Sequence, residues 1–295
     1  MTNSIFGIVI ALISTATWAI CSIIFKHLGE RLEPVGMTML KTIFSSILLF
    51  IIAILSQTSL NIETDTIIKI ALSGILGIAV GDSLFFASLN RLSPLSLSLI
   101  LFVLPDLFAG IFGLIFLEEM PPILSWVGIF TILVGLAFLI FPINSDNSSS
   151  KTKITGLIFA LLSIIFTAYS SVLIKPILVT TSVITVTIYR MFFAAIVLLI
   201  YALFSKKIFN WKETLTDTNY NLKLAGTFSL VTIGGFWLSL VAIKYCKLII
   251  ASSIMSLEPL FILIFMILFN HYKPKNKECL GIIVTVIGIL LICAS

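Results

Sequence analysis

Leu95–Leu117 reads LSLSLILFVLPDLFAGIFGLIFL, an apolar stretch interrupted by one charge, Asp106. A helix needs roughly 20 mostly apolar residues to cross a bilayer core, and this stretch supplies them. Comparable stretches flank it on both sides: Ile5–Phe25, Val35–Leu55, Ile70–Leu89, Ile123–Phe141, Ile154–Ile174, Val183–Phe204, Leu222–Ile243, Leu248–Phe269 and Leu280–Cys293. Across the 295 residues, 59% are hydrophobic and 11% charged, where soluble domains run near 45–50% and ~25%. The expected fold is therefore an all-α integral membrane protein with ten transmembrane helices, multi-pass in the cell membrane. Lipid offers no partner to a backbone amide, so helices that close their own hydrogen bonds are the natural solution. The alternation of a membrane β-barrel is absent.

The loops are too short to hold a soluble domain. The longest, Ser205–Asn221 (SKKIFNWKETLTDTNYN), is polar with one Trp. The first span opens MTNS, without a basic n-region or a small-x-small cleavage site, and reads as a retained helix. Cys21, Cys246, Cys279 and Cys293 are scattered without paired spacing and read as packing residues. His27 and His271 are lone residues at span ends, so neither a metal nor another cofactor is expected. The net charge of +5 lies in loops, where it suits a membrane surface better than a nucleic acid.

The chain repeats itself. Gly7, Ala11, Leu12, Lys26 and Lys41 fall on Gly156, Ala160, Leu161, Lys175 and Arg190 at one constant offset. After a small insertion near Ser205, Gly81 and Pro105 fall on Gly235 and Pro259, then Gly128 and Gly135 on Gly281 and Gly288. The low-complexity run from Asn144 to Lys151 divides the two sets, giving repeats over 1–143 and 154–295 with a linker at 144–153. Five crossings per repeat bring the second half in from the opposite side. Inverted repeats that meet at a midplane cavity are the architecture of many secondary transporters.

Residues 81–122, GDSLFFASLNRLSPLSLSLILFVLPDLFAGIFGLIFLEEMPP, resemble the EamA repeat of the drug/metabolite transporter (DMT) superfamily. So do ALISTATWAICSIIFKHLGERLEPVGMTMLK (Ala11–Lys41) and ASSIMSLEPLFILIFMILF (Ala251–Phe269). The resemblance covers nearly the whole chain as two EamA units. It implies a ten-helix exporter of amino acids, other metabolites or drugs, usually working against a proton gradient. One departure stands out. Such repeats often close their fourth and ninth helices with Leu-Gly-Glu; the first half keeps Leu117-Glu118-Glu119, while the second reads Phe269-Asn270-His271-Tyr272, without an acid.

A charge at mid-bilayer costs a few kcal/mol or more, so it generally faces a cavity or a partner. Lys41, Asp82, Asp106, Arg190 and Glu258 lie about six or more residues inside predicted spans, ~9 Å at 1.5 Å per residue. Asp106 and Glu258 flank the repeat-mate prolines Pro105 and Pro259. Each proline removes a backbone donor and frees a carbonyl one turn back. An acid at such a kink suits a proton or a cation, or else it pairs with Lys41 or Arg190 to lock helices together. Asp82 follows the small-residue stripe Gly74, Gly77, Gly81 and shares a helical face with Phe86 and Asn90. It is the first candidate for a proton-carrying or amine-binding carboxylate, and Asp82→Asn is expected to abolish proton-coupled flux with folding intact. Its alternative role is capping or an interhelical hydrogen bond to a serine.

Trp18, Tyr169, Tyr189 and Trp237, with Phe85 and Phe86, are candidate cavity aromatics for amphipathic or cationic solutes, or else membrane anchors. Ser252, Ser253 and Ser256 bind a solute or their own backbone.

Counting Lys and Arg sets two arguments against each other. The loops after the odd-numbered spans hold Lys26, Arg31, Arg91, Lys151, Lys153, Lys206, Lys207, Lys212, Lys223, Lys273, Lys275 and Lys277; the other side holds Lys69, Lys175, Lys244 and Lys247. The positive-inside rule leaves both termini outside, while the family resemblance implies cytoplasmic termini. A reporter at the C-terminus decides between them.

The leading expectation is a monomeric, non-enzymatic secondary transporter with a small-molecule solute, protons and the lipid bilayer as partners. There is no Walker A motif. The alternatives are a channel or scaffold, and an intramembrane aspartyl protease, for which Ala79-Val80-Gly81-Asp82 is a near miss to Gly-x-Gly-Asp.

Overall fold

The computed structural model describes residues 2–92, 108–120, 122–140, 150–205, 216–270 and 276–294, and every regular element among them is helical. We number the helices α1 (Thr2–Leu28), α2 (Pro34–Leu55), α3 (Thr64–Leu89), α4 (Phe108–Leu117) and α5 (Ile123–Ile140) in the first half. The second half has α6 (Ser150–Ile174), α7 (Val183–Phe204), α8 (Thr218–Tyr245), α9 (Leu248–Phe269) and α10 (Asn276–Cys293). Seven of these, α1–α3 and α6–α9, are long and apolar enough to cross a membrane; α4, α5 and α10 hold shorter apolar stretches. Asp106 and Pro105 lie outside the described residues, as does most of the linker.

Local chemistry sets the helix ends. Pro34 opens α2, where its missing N–H costs nothing. The Asp217 carboxylate accepts from the amides of Asn219 (3.0 Å) and Tyr220 (3.1 Å) and caps α8. Helix α9 breaks after Met255 and resumes at Glu258, so Pro259 falls in a first turn that tolerates it.

Large apolar side chains such as Phe50, Leu55, Phe116, Phe130 and Phe204 face outward. Serines, threonines, Lys41 and Arg190 are buried within. An apolar exterior over an interior that holds buried polar groups among apolar ones is stable in lipid, whereas water would penalise so large an exposed apolar surface.

The packing repeats across the halves. Helix α1 packs on α8 and α6 packs on α3, while the repeat mates α2 and α7, and likewise α5 and α10, pack on each other. A Cβ on Gly128 would lie 2.9 Å from the Gly288 carbonyl, and one on Gly288 would lie 2.8 Å from the Gly128 carbonyl. Only the absence of side chains lets these two helices approach so closely.

The halves run in opposite directions. Gly7, at the start of α1, packs against Cys246, and Lys175, just past the end of α6, donates to the Cys246 carbonyl. At the other end of the molecule, Gly156 at the start of α6 packs against Leu92, and Lys26 near the end of α1 donates to the Leu92 carbonyl (3.0 Å). Repeat-mate residues thus make matching contacts at opposite ends of the bundle.

Candidate functional site

The third helix of each half carries a π-helical segment, Gly74–Val80 in α3 and Val231–Trp237 in α8. Such segments leave carbonyls poorly met by the helix itself and recur at functional sites. A carbonyl within or just beyond each segment is met across the halves by repeat mates. Ser163 of α6 donates to Gly81 O (2.8 Å), and Ser14 of α1 donates to Gly235 O (2.9 Å).

Between these segments lies a cavity of about 230 Å³. Its walls come from both halves: Trp18 of α1, Asp82 and Phe85 of α3, Thr167 and Ser171 of α6, Arg190 of α7, Phe236 and Ser239 of α8, and Ser252, Ser256 and Glu258 of α9.

Three of the five in-span charges of the sequence analysis therefore share one chamber. Lys41 stands directly behind it. Its ammonium pairs with the Asp82 carboxylate and lies 4.4 Å from the Phe236 ring centroid and 5.3 Å from that of Phe86. The lysine is fully buried, so carboxylate and ring faces replace its water shell. Asp82 is thus a partner of Lys41; Glu258 makes no ion pair with a described cation, and Asp106 lies outside the described residues.

Arg190 is 6% exposed, and its Nη2 donates to Ser170 Oγ at 2.9 Å. Ser170 is itself held by Ser73, whose hydroxyl lies 2.8 Å away. Room for this arrangement comes from Gly74 and Gly77. A Cβ at Gly74 would come 2.9 Å from Arg190 Cα, and one at Gly77 would come 3.3 Å from its Nη2. Elsewhere in the lining, Glu258 Oε1 accepts from Ser22 at 2.7 Å.

Trp18 stands edge-on to Phe236, centroids 5.0 Å apart, and to Phe85 at 6.1 Å. These three rings line the chamber. The other predicted aromatics sit elsewhere. Tyr169 packs edge-on against Phe112 and Phe116, Tyr189 donates to the Leu60 carbonyl (3.3 Å), and Trp237 is half-buried beside the lining residue Phe236. Phe86 is buried against Lys41 behind the wall. Asn90 is exposed at the end of α3, where its side chain donates to Gly29 O (3.3 Å). Ser252 and Ser256 reach the cavity, whereas Ser253 is buried and donates to Ile249 O. Unforeseen lining residues are Phe236, Ser239 and the hydroxyls Ser163, Thr167 and Ser171. The last three recur every fourth residue along α6, a polar stripe on one face that periodicity alone reveals.

Beyond the chamber, the end that carries the start of α1 is cross-linked. Lys175 pairs with Glu119 Oε1 at 2.8 Å and donates to Cys246 O. Glu119 Oε2 accepts from the Leu248 amide (2.6 Å), and Lys247 donates to Met120 O (2.5 Å). Burial pulls the Lys175 ammonium below its ordinary pKa, and Glu119 opposes that fall. The acid that only the first half retains thus joins the ends of α4, α6 and α8 to the start of α9. At the opposite end, Lys26 donates to Leu89 O (2.5 Å) and Arg31 pairs with Asp217 (2.8 Å) near the surface. Among the described residues no group of His, Cys, Asp and Glu is arranged to hold a metal ion.

An apolar-surfaced helical bundle whose two halves enclose charged groups around one chamber has the architecture of a multi-pass membrane transporter. The model of the EamA-like transporter family matches residues 5–141 and again 154–294. The chain belongs to that family and so to the drug/metabolite transporter superfamily. No curated protein matches it. A solved crystal structure, 13% identical, is similar over 99% of this chain and 96% of that one with a TM-score of 0.72, a likeness of fold.

Proposed function

We propose that this chain is a secondary active transporter, ten helices in two inverted repeats, that exports or exchanges a small metabolite by alternating access. The observation that carries the reading is one chamber lined by both oppositely running halves, with Asp82, Arg190 and Glu258 on its walls. Its volume, about 230 Å³, falls below the roughly 300 Å³ at which drug-sized sites begin. A solute of amino-acid size fits it better than a large drug.

The coupling ion in this reading is the proton, and Glu258 carries it. Its side chain lines the chamber and holds a hydrogen bond from Ser22, with no ion pair to a described cation. Asp82 is committed to Lys41. A carboxylate without a counter-ion gains and loses a proton as the chamber exchanges one aqueous side for the other. Alternating access then requires the Lys175–Glu119 connection at one end and the Lys26 and Arg31 contacts at the other to open in turn. Helices of both halves line the chamber within one chain, which fits a monomer.

The test is purified protein in liposomes under an imposed pH gradient. Saturable, gradient-driven accumulation of a small solute is the expected result. Linear, gradient-independent leak would indicate a channel, and no flux at all would remove the transport reading.

A further inference from the structure

Arg190 has chemistry that the carrier reading leaves unused. A guanidinium presents five N–H donors in a planar fork and no acceptor. Here Nη2 meets Ser170, while Nε is buried with no hydrogen-bond partner among the described residues. No ion pair joins Arg190 to a described acid. Asp82, which faces the same chamber, already pairs with Lys41. With Glu258 carrying its proton, the described charges at the chamber, Lys41, Asp82 and Arg190, leave one positive charge over. An unmet buried donor is costly, and more so when it is charged, so a built arrangement that leaves one unmet calls for a partner from outside the protein.

The arrangement is built. Gly74 and Gly77 clear the space around Arg190, and Ser73 fixes the Ser170 hydroxyl that holds Nη2. Thr167, one helical turn before Ser170, puts a second hydroxyl on the same chamber wall.

The geometry points to Arg190, with Thr167 beside it, as an anion subsite that takes the carboxylate of the transported solute. A planar carboxylate matches the guanidinium fork, and one surplus charge matches a monoanion better than a phosphate dianion. The solute is then a small organic acid or zwitterion with one free carboxylate. Any amine it carries falls to Glu258, which lines the same chamber. This inference rests on the chamber being the transport site.

The test compares acids with their amides on wild-type protein: 3-methylbutanoate against 3-methylbutanamide, and L-leucine against L-leucinamide. Binding is read by thermal stabilisation in detergent, and transport by competition for uptake in liposomes. The acids are expected to bind at least about tenfold more tightly than the amides, the scale of one charge-assisted contact. In Arg190→Gln that preference disappears, and in Arg190→Lys part of it remains. Acids and amides binding alike, or neither binding, overturns the subsite, and so does inorganic phosphate competing as well as the acids. If amides are carried as readily as acids, the subsite falls while the carrier reading stands. If acids bind with the expected preference but none accumulates across the membrane, the carrier reading falls and the subsite stands.

Discussion

Lys41 of α2 and Asp82 of α3 form an ion pair that leaves the lysine with no exposure, and Phe236 from the other half lies 4.4 Å from the ammonium. The contact links two helices of one repeat to the third helix of the other, directly behind the chamber. Removing one partner of such a pair strands a buried charge, which costs about 3–5 kcal/mol, whereas replacing both by neutral side chains costs far less.

Asp82→Asn and Lys41→Met are therefore each expected to lower the yield and the melting temperature of folded protein. The double variant Lys41→Met/Asp82→Asn should recover most of the loss. A thermal double-mutant cycle reads the coupling directly. Additive losses would show that the two residues do not support each other. The expectation drawn from sequence, that Asp82→Asn leaves folding intact, treated the carboxylate as free.

Glu258→Gln keeps the hydrogen bond to Ser22 within reach and removes the titrating group. Exchange of solute between equal pools should persist, while acceleration by a pH gradient is lost. Gradient-driven uptake that survives the substitution would take the proton elsewhere.

Glu119→Gln breaks the ion pair to Lys175 and leaves the ends of α4, α6 and α8 less firmly joined. Cys246 is buried at that point and serves as a natural reporter. In a background with the other three cysteines changed to serine, Glu119→Gln should raise the rate at which a maleimide modifies Cys246. An unchanged rate would mean that the pair does not fasten this end.

Asp217 titrates outside the spans. The Tyr220 backbone hydrogen bond, then the Arg31 side chain, hold its carboxyl below the ordinary aspartate value. A folded pKa below the unfolded one stabilises the protein above the unfolded value, and that contribution fades as pH falls through the folded value. Thermal scans of wild type and Asp217→Asn should differ at pH 7, with the variant melting lower, and converge in acid. Parallel curves at every pH would remove this cap from the account.

Much of the helical bundle can be read from the chain because lipid makes spanning helices long and apolar, and because a repeat copies its marks. Lys26 and Lys175, or Gly7 and Gly156, make matching contacts that their constant offset already implies. The chamber was harder to read. Asp82, Arg190 and Glu258 are conspicuous as charges among apolar neighbours, but their partners are set by packing between halves, which no local pattern encodes. Phe236 illustrates this: it falls on Asp82 at the offset that relates Gly81 to Gly235, and it faces the same lysine by a different interaction. Tyr169, Tyr189 and Trp237 stand outside the chamber lining, which the sequence does not reveal, because an aromatic on a membrane helix looks alike whether it meets solute, lipid or another helix.

The account depends on a chamber that meets water on each side in turn. With all four native cysteines replaced, a single cysteine at Ser239 on the chamber wall reports this through its reaction with a membrane-impermeant thiol reagent. It should be modified from either face of the membrane, and a bound solute should slow both reactions. Modification from one face alone, or from neither, would contradict the account.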